Sequence, residues 1–129
     1  MILLLDTHIL LWAAGDPERL PIDVRTMLEA PANELWFSAA SLWEISIKHG
    51  LGRQDFRVDP HLLRRGLLQN GYRELPISGV HALATAHLPA LHKDPFDRML
   101  VAQAASEGVL LLTSDAVVAR YPGPIRHVQ

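Results

Sequence analysis

MILLLDTHILLWAAG, residues 1–15, is the stretch whose reading decides the fold. Its apolar bias superficially resembles a secretory leader. No Lys or Arg precedes the apolar run, and Asp6 and His8 interrupt it, so that reading is set aside. No stretch of the chain approaches the length of a membrane span. What remains is a strand followed at once by a helix. Residues 1–5 are apolar throughout and stop at Asp6, as expected for a strand buried on both faces of a parallel sheet. THILLWAAG then reads as a short helix ended by Gly15.

The same alternation continues outward. A helical pattern runs from Ile22 to Ala30, with Val24, Met27 and Leu28 on its apolar side. ELWFS is a strand. SAASLWEISIKHG is a helix with Ser38 as N-cap and Gly50 as its stop. Asp59-Pro60 opens a helix, HLLRRGLLQN, that stops at Asn70-Gly71. YRELPI is a short strand and VHALATAHL a helix. DPFDRMLVAQAASEG is the best-marked helix, and VLLLTSD the best-marked strand. A short helix (AVVARY) and a last strand (PIRHV) follow. Strands alternating with helices predict a three-layer α/β/α sandwich around a mostly parallel sheet. The 129 residues suit one domain, 1–129, without repeat or linker.

Bulk composition narrows the function classes. Apolar residues make up 49% of the chain, enough for a sizeable core. The formal net charge of −2 gives no overall basic footprint for tight duplex DNA binding. A basic rim around an acidic pocket would cancel in that sum. With no cysteine there is no disulfide framework and no thiolate metal site, which suits a reducing, cytoplasmic setting.

Ligands of open parallel sheets sit beyond the carboxyl ends of the strands. Asp6 ends the first strand, Asp115 follows VLLL, and Ser38 ends ELWF, so chemistry collects at one edge. Asp94 reads as an N-cap with Pro95 at the first helical position. Asp97, third in that helix, favours the helix dipole, yet it shares a stripe with Val101 and Ala104 that should face the sheet. A carboxylate on such a stripe needs a partner. Glu44 precedes Lys48 by four residues, the favourable orientation for a helical ion pair. An exposed pair contributes little, and this helix is apolar nearly all round, so its polar strip (Ser41, Glu44, Lys48) faces a pocket or a narrow window of solvent. Asp6 and Asp115 could each be turn formers. Several carboxylates converging on one edge repel, and a divalent cation resolves that repulsion. Oxygen ligands favour Mg²⁺ or Mn²⁺ over zinc. Such a pocket suits phosphodiester hydrolysis, with Thr7, Ser38, Thr113 and Ser114 as hydroxyl contacts.

The stretches ILLLDTHILLW, SAASLWEISIK, LHKDPFDRMLVAQA and LLLTSD, in that order across nearly the whole chain, resemble PIN-domain ribonucleases, in particular the VapC toxins of toxin–antitoxin pairs. The resemblance implies a metal-dependent endoribonuclease whose acidic positions are Asp6, Glu44, Asp97 and Asp115 here. It implies Mg²⁺ or Mn²⁺ held chiefly by Asp6 and Asp97, with Glu44 and Asp115 acting directly or through water. Thr7, Ser38, Asp94 and Ser114 would support the site, Asp94 first as a cap.

The resemblance also implies an RNA substrate, a homodimer and a VapB-type antitoxin, and no membrane. Trp12, Trp36, Trp43, Ile45 and Ile47 are candidates for an antitoxin groove; ordinary core packing is the alternative for each tryptophan. Lys48, Arg53, Arg57, Arg64, Arg65, Lys93 and Arg98 are the basic candidates for RNA. RNA loops and single strands expose their bases best, so a structured RNA cut in a loop is the expected target class. The competing reading is a non-catalytic cation-binding or receiver-like signalling module. A receiver domain wants paired acids after its first strand, and a haloacid-dehalogenase phosphatase wants Asp-x-Asp; here Asp6 is followed by Thr7 and His8. No HExxH supports a zinc hydrolase, and His81, His87 and His92 read as surface or helix-end residues.

Overall fold

The opening apolar run is strand β1 (Ile2–Leu5) in a computed structural model that describes residues 1–128. Leu3, Leu4 and Leu5 are all fully buried. Full burial of a leucine is worth about 1.5–3 kcal/mol, so this short strand is a major anchor of the core. Its side chains alternate between two cores. Leu3 and Leu5 join Phe37, Ile45, Phe56 and Leu112 on one face, and Leu4 joins Trp36, Leu100, Val101 and Leu111 on the other. A sheet with an apolar core on each face is the middle layer of the expected sandwich.

The elements then follow in order: α1 (Thr7–Gly15), α2 (Ile22–Glu29), β2 (Glu34–Ser38), α3 (Ala39–Gly50), α4 (Pro60–Gln69) and β3 (Arg73–Leu75). After them come α5 (Gly79–Ala84), α6 (Pro95–Glu107), β4 (Leu110–Thr113) and β5 (Ile125–His127). The five strands lie in the order β3-β2-β1-β4-β5, and every pairing is parallel. The chain thus builds outward from β1 on one side, then returns to build outward on the other. The reversal falls between β1 and β4, where Leu5 stands beside Leu112. Among the described residues, no helix is long and apolar enough to cross a membrane.

Several boundaries differ from the sequence reading for local reasons. Helix α3 runs through Gly50 and turns at Gly52, whose φ of +72° suits glycine. Helix α5 ends at Ala84 and tightens into a 3₁₀ turn at Thr85–His87, where the Thr85 hydroxyl donates back to the Ala82 carbonyl. The expected helix over 116–121 is a single 3₁₀ turn, Val118–Arg120, because Pro122 drives Tyr121 into an extended conformation. An unexpected 3₁₀ turn also forms at Pro17–Arg19. Helix α3 is less buried than its apolar composition suggests, since Trp43 and Ile47 are exposed.

Candidate active site

Asp6 sits where β1 meets α1, and its carboxylate is held from three sides. Its Oδ1 accepts the Ile9 amide at 2.9 Å, capping α1. Its Oδ2 accepts the Thr113 hydroxyl at 2.7 Å and the Ser114 amide at 3.0 Å, both from the carboxyl end of β4. Burial raises its pKa above the ordinary aspartate value, although these hydrogen bonds pull the other way. Asp115 shares its duties in the same manner. Its Oδ1 accepts the amides of Val117 and Val118, which start the 3₁₀ turn, while its Oδ2 faces His92. Burial raises the Asp115 pKa, but the Val117 amide, His92 and the Val118 amide outweigh it and hold the group below its usual value.

Asp94 is the N-cap of α6, accepting the amides of Phe96 (2.8 Å) and Asp97 (3.3 Å) on Oδ1. Asp97 then projects from the first turn, on the stripe whose Val101 and Ala104 are buried in the core. Burial, reinforced by the charges of Asp94, Glu44 and Asp6, pushes its pKa up to about 7. From α3 comes Glu44, only 3% exposed, with its Oε2 on the Lys48 ammonium at 2.5 Å. Its other oxygen, Oε1, is buried without a hydrogen-bond partner.

These groups share one cavity of about 170 Å³, lined by Asp6, Glu44, Asp94, Asp97 and Asp115 together with Thr7, His8, Lys48, His92 and Ser114. All four expected acids are therefore brought together, at the point where the strand order reverses. Ser38 is not part of the lining. Its buried hydroxyl caps α3 through the Ala40 amide and donates to Gln103 Oε1 at 2.5 Å, tying α3 to α6. Thr7 lines the cavity, but its hydroxyl donates to Ser41 at 3.0 Å. A larger hollow of about 640 Å³ lies between α1, α2 and α4 and is mostly apolar.

Lys48 forms the expected helical pair with Glu44 within the cavity. His92, read as a surface or helix-end residue, also lines it. Its Nε2 lies 3.2 Å from both Asp97 Oδ2 and Asp115 Oδ2. Its Nδ1 accepts the Asp94 amide at 3.2 Å. A neutral imidazole has one N–H, so this contact puts the proton on Nε2, which donates to Asp115 and lies beside Asp97.

The donor set fits a hard divalent cation. It consists of carboxylate oxygens, one of them orphaned, around a group whose ionisation is suppressed by burial and by its neighbours' charges. The Asp97 and Asp115 carboxylate oxygens lie within 4.8 Å of one another and of the His92 ring nitrogen, which donates its proton to Asp115 rather than ligating. Asp6 and Glu44 line the same cavity outside that tightest group.

The 3-2-1-4-5 strand order departs from the 2-1-3-4-5 order of receiver domains. Among solved structures, the fold is similar to a chain of VapBC2 from Rickettsia felis bound to a DNA fragment from their promoter, with a TM-score of 0.72, 17% identity and all of both chains covered. It is also similar to VapBC-1 from nontypeable Haemophilus influenzae (TM-score 0.64, 20% identity, 98% of each chain). A third similar structure is DNA-bound VapBC from Salmonella typhimurium (TM-score 0.63, 16% identity, 98% of each chain). No curated protein gives a significant match by sequence. The family model of the PIN domain matches residues 3–124, nearly the whole described chain, and the protein belongs to the PIN-domain family.

Proposed function

We propose that this protein is a metal-dependent endoribonuclease of the VapC type, a single-domain toxin that cleaves RNA phosphodiester bonds and is neutralised by a VapB-type antitoxin. The observation that carries this reading is the convergence of Asp6, Glu44, Asp97 and Asp115 on one small cavity, with Asp97 pushed up to about 7. Carboxylates packed so closely call for a cation. Mg²⁺ or Mn²⁺ would be held chiefly by Asp6 and Asp97, with Glu44 and Asp115 completing the site directly or through water. Bound there, the ion would activate water and neutralise charge on the scissile phosphate.

The chain's own contribution is rigidity. Three donors fix Asp6, and two backbone amides fix Asp115, so neither carboxylate has to be ordered at the moment of binding. The Ser38–Gln103 and Thr7–Ser41 hydrogen bonds hold α3, and with it Glu44, against α6 and α1. His92 donates its Nε2–H to Asp115 and sets the same ring nitrogen 3.2 Å from Asp97. Ser114 and Asp94 support the site through the Asp6 contact and the α6 cap.

Of the basic residues, Arg98 is committed to the carbonyls of Pro89 and Thr85 and to the Tyr121 hydroxyl. Arg64 is committed to Glu74. Arg57 is engaged by Gln54 and Arg53 by Asp55, whereas Arg65 and Lys93 are exposed and are the better candidates for RNA phosphates. Of the groove candidates, Trp36 and Ile45 are core residues, whereas Trp43 and Ile47 on α3 are exposed and available to an antitoxin. A cytoplasmic homodimer completes the proposal.

The test is cleavage of a pool of structured RNAs by the purified, partner-free protein. Mg²⁺, Mn²⁺ and chelator are compared, beside a folded Asp6→Asn variant. Metal-dependent cuts with 5′-phosphate ends, absent in the variant, are expected. Cuts that survive both chelator and the substitution would point away from this site. A folded protein that binds metal but cleaves no RNA would favour a non-catalytic cation-binding module.

A further inference from the structure

The two ends of the cavity differ. At the Asp97 end the carboxylates face one another and His92. At the Glu44 end a cation is already present. The Lys48 ammonium touches Glu44 Oε2 at 2.5 Å and lies 4.9 Å from the centre of the Phe56 ring. Its side chain is only 21% exposed. Phe56 is itself buried, and its carbonyl is 2.9 Å from His49 Nδ1. The loop between α3 and α4 therefore serves as a seat for this ammonium, by a cation–π contact on one side and a carboxylate on the other.

We propose that Lys48 is the resident cation of the Glu44 end, so that the site takes one divalent ion, at the Asp97 end, rather than two. This rests on the metal-dependent reading above and specifies its stoichiometry. Two-metal sites place their ions about 3.5–4 Å apart. A second divalent ion on Glu44 would have to share that carboxylate with an ammonium already in contact with it. Glu44 thus keeps Oε2 for Lys48, and its orphaned Oε1 is left for a water or hydroxyl of the bound complex. Lys48 acts through charge and is a positioning residue.

The experiment counts Mn²⁺. The free-ion electron paramagnetic resonance signal is titrated with wild type, Lys48→Met, Lys48→Arg and the double variant Glu44→Gln/Lys48→Met, each checked for folding by circular dichroism. Wild type and Lys48→Arg should bind one ion per chain. Lys48→Met should bind two, or bind its second at least about tenfold more tightly than wild type does. The double variant should return to one. Thermal melts give a second readout, in which Mn²⁺ raises the Tm of Lys48→Met more than that of wild type. Two ions in wild type, or unchanged stoichiometry and affinity in Lys48→Met, would overturn the proposal while leaving a metal site intact. No ion bound by wild type would overturn both this proposal and the metal-dependent reading.

Discussion

Asp97 is where burial and charge conflict most. Its pKa is raised from the ordinary 3.8 to about 7, so between these values the folded chain keeps a proton that the unfolded chain releases. Stability of the metal-free protein should therefore fall as pH rises from about 4 to about 7. Asp97→Asn removes that slope. At pH 8 without metal it should be more stable than wild type by about 1–3 kcal/mol, the figure discounted for partial exposure. Denaturant melts at pH 5 and pH 8 check this, and equal slopes would count against it. A cation has to displace the same proton, so Mn²⁺ affinity should rise about tenfold between pH 6 and pH 8. His92 offers a separate test. Its proton belongs on Nε2, which ¹⁵N chemical shifts read directly; a proton on Nδ1 would sink the assignment. Removing this donor in His92→Ala should cost about 10–100-fold in cleavage, and His92→Gln, which keeps a side-chain N–H, should recover part of it. The acids were legible in the sequence because a charge ending an apolar run or sitting on an apolar stripe violates a local rule. His92 was not, because its place in the site depends on how the segment before α6 folds back. Lys48 was legible as the partner of Glu44 on α3, though not as a cation seated in the site.

At the scale of elements, the helix starts carry the site, and caps and site residues are partly the same groups. Asp94 illustrates the overlap. Asparagine caps about as well as aspartate, so Asp94→Asn should change stability little. It removes one of the charges that raise Asp97, so the pH midpoint for Mn²⁺ binding should move down. A midpoint that stays put would show that Asp94 is only a cap. Ser38 is the opposite case. Ser38→Ala should lose the α3 cap, about 1 kcal/mol, and leave Gln103 Oε1 without its donor, about 1–3 kcal/mol more. Urea unfolding reads the sum; a loss under about 0.5 kcal/mol would contradict the linkage of α3 to α6. The periodicity of these helices made them legible, together with Asp59, Ser38 and Asp94 as caps. The split of α5 and the single turn at 118–120 were not legible from periodicity, because a hydroxyl back-bond and a proline override it over so short a span.

At the scale of the whole molecule, the site is a junction. Asp6 and Asp115 follow the adjacent strands β1 and β4, Glu44 comes from α3 and Asp97 from α6. The buried leucine runs of β1 and β4 made those strands legible. The order of the five parallel strands was not, because pattern alone does not say which strand lies beside which. The order matters here, since it puts the reversal point between β1 and β4 and makes Asp6 and Ser114 hydrogen-bonding neighbours across 108 residues. No unfolded chain holds these four carboxylates together, so a cation that binds them binds only the folded state. At 100 times its dissociation constant, such an ion adds about 2.7 kcal/mol, which for a chain of this size is on the order of 10 °C in Tm. Thermal melts at pH 8 with saturating Mn²⁺, and with chelator, should differ by about that much in wild type and hardly at all in Asp6→Asn/Asp97→Asn. If wild type melts at the same temperature in both, the convergence of these four residues serves the fold and not a metal.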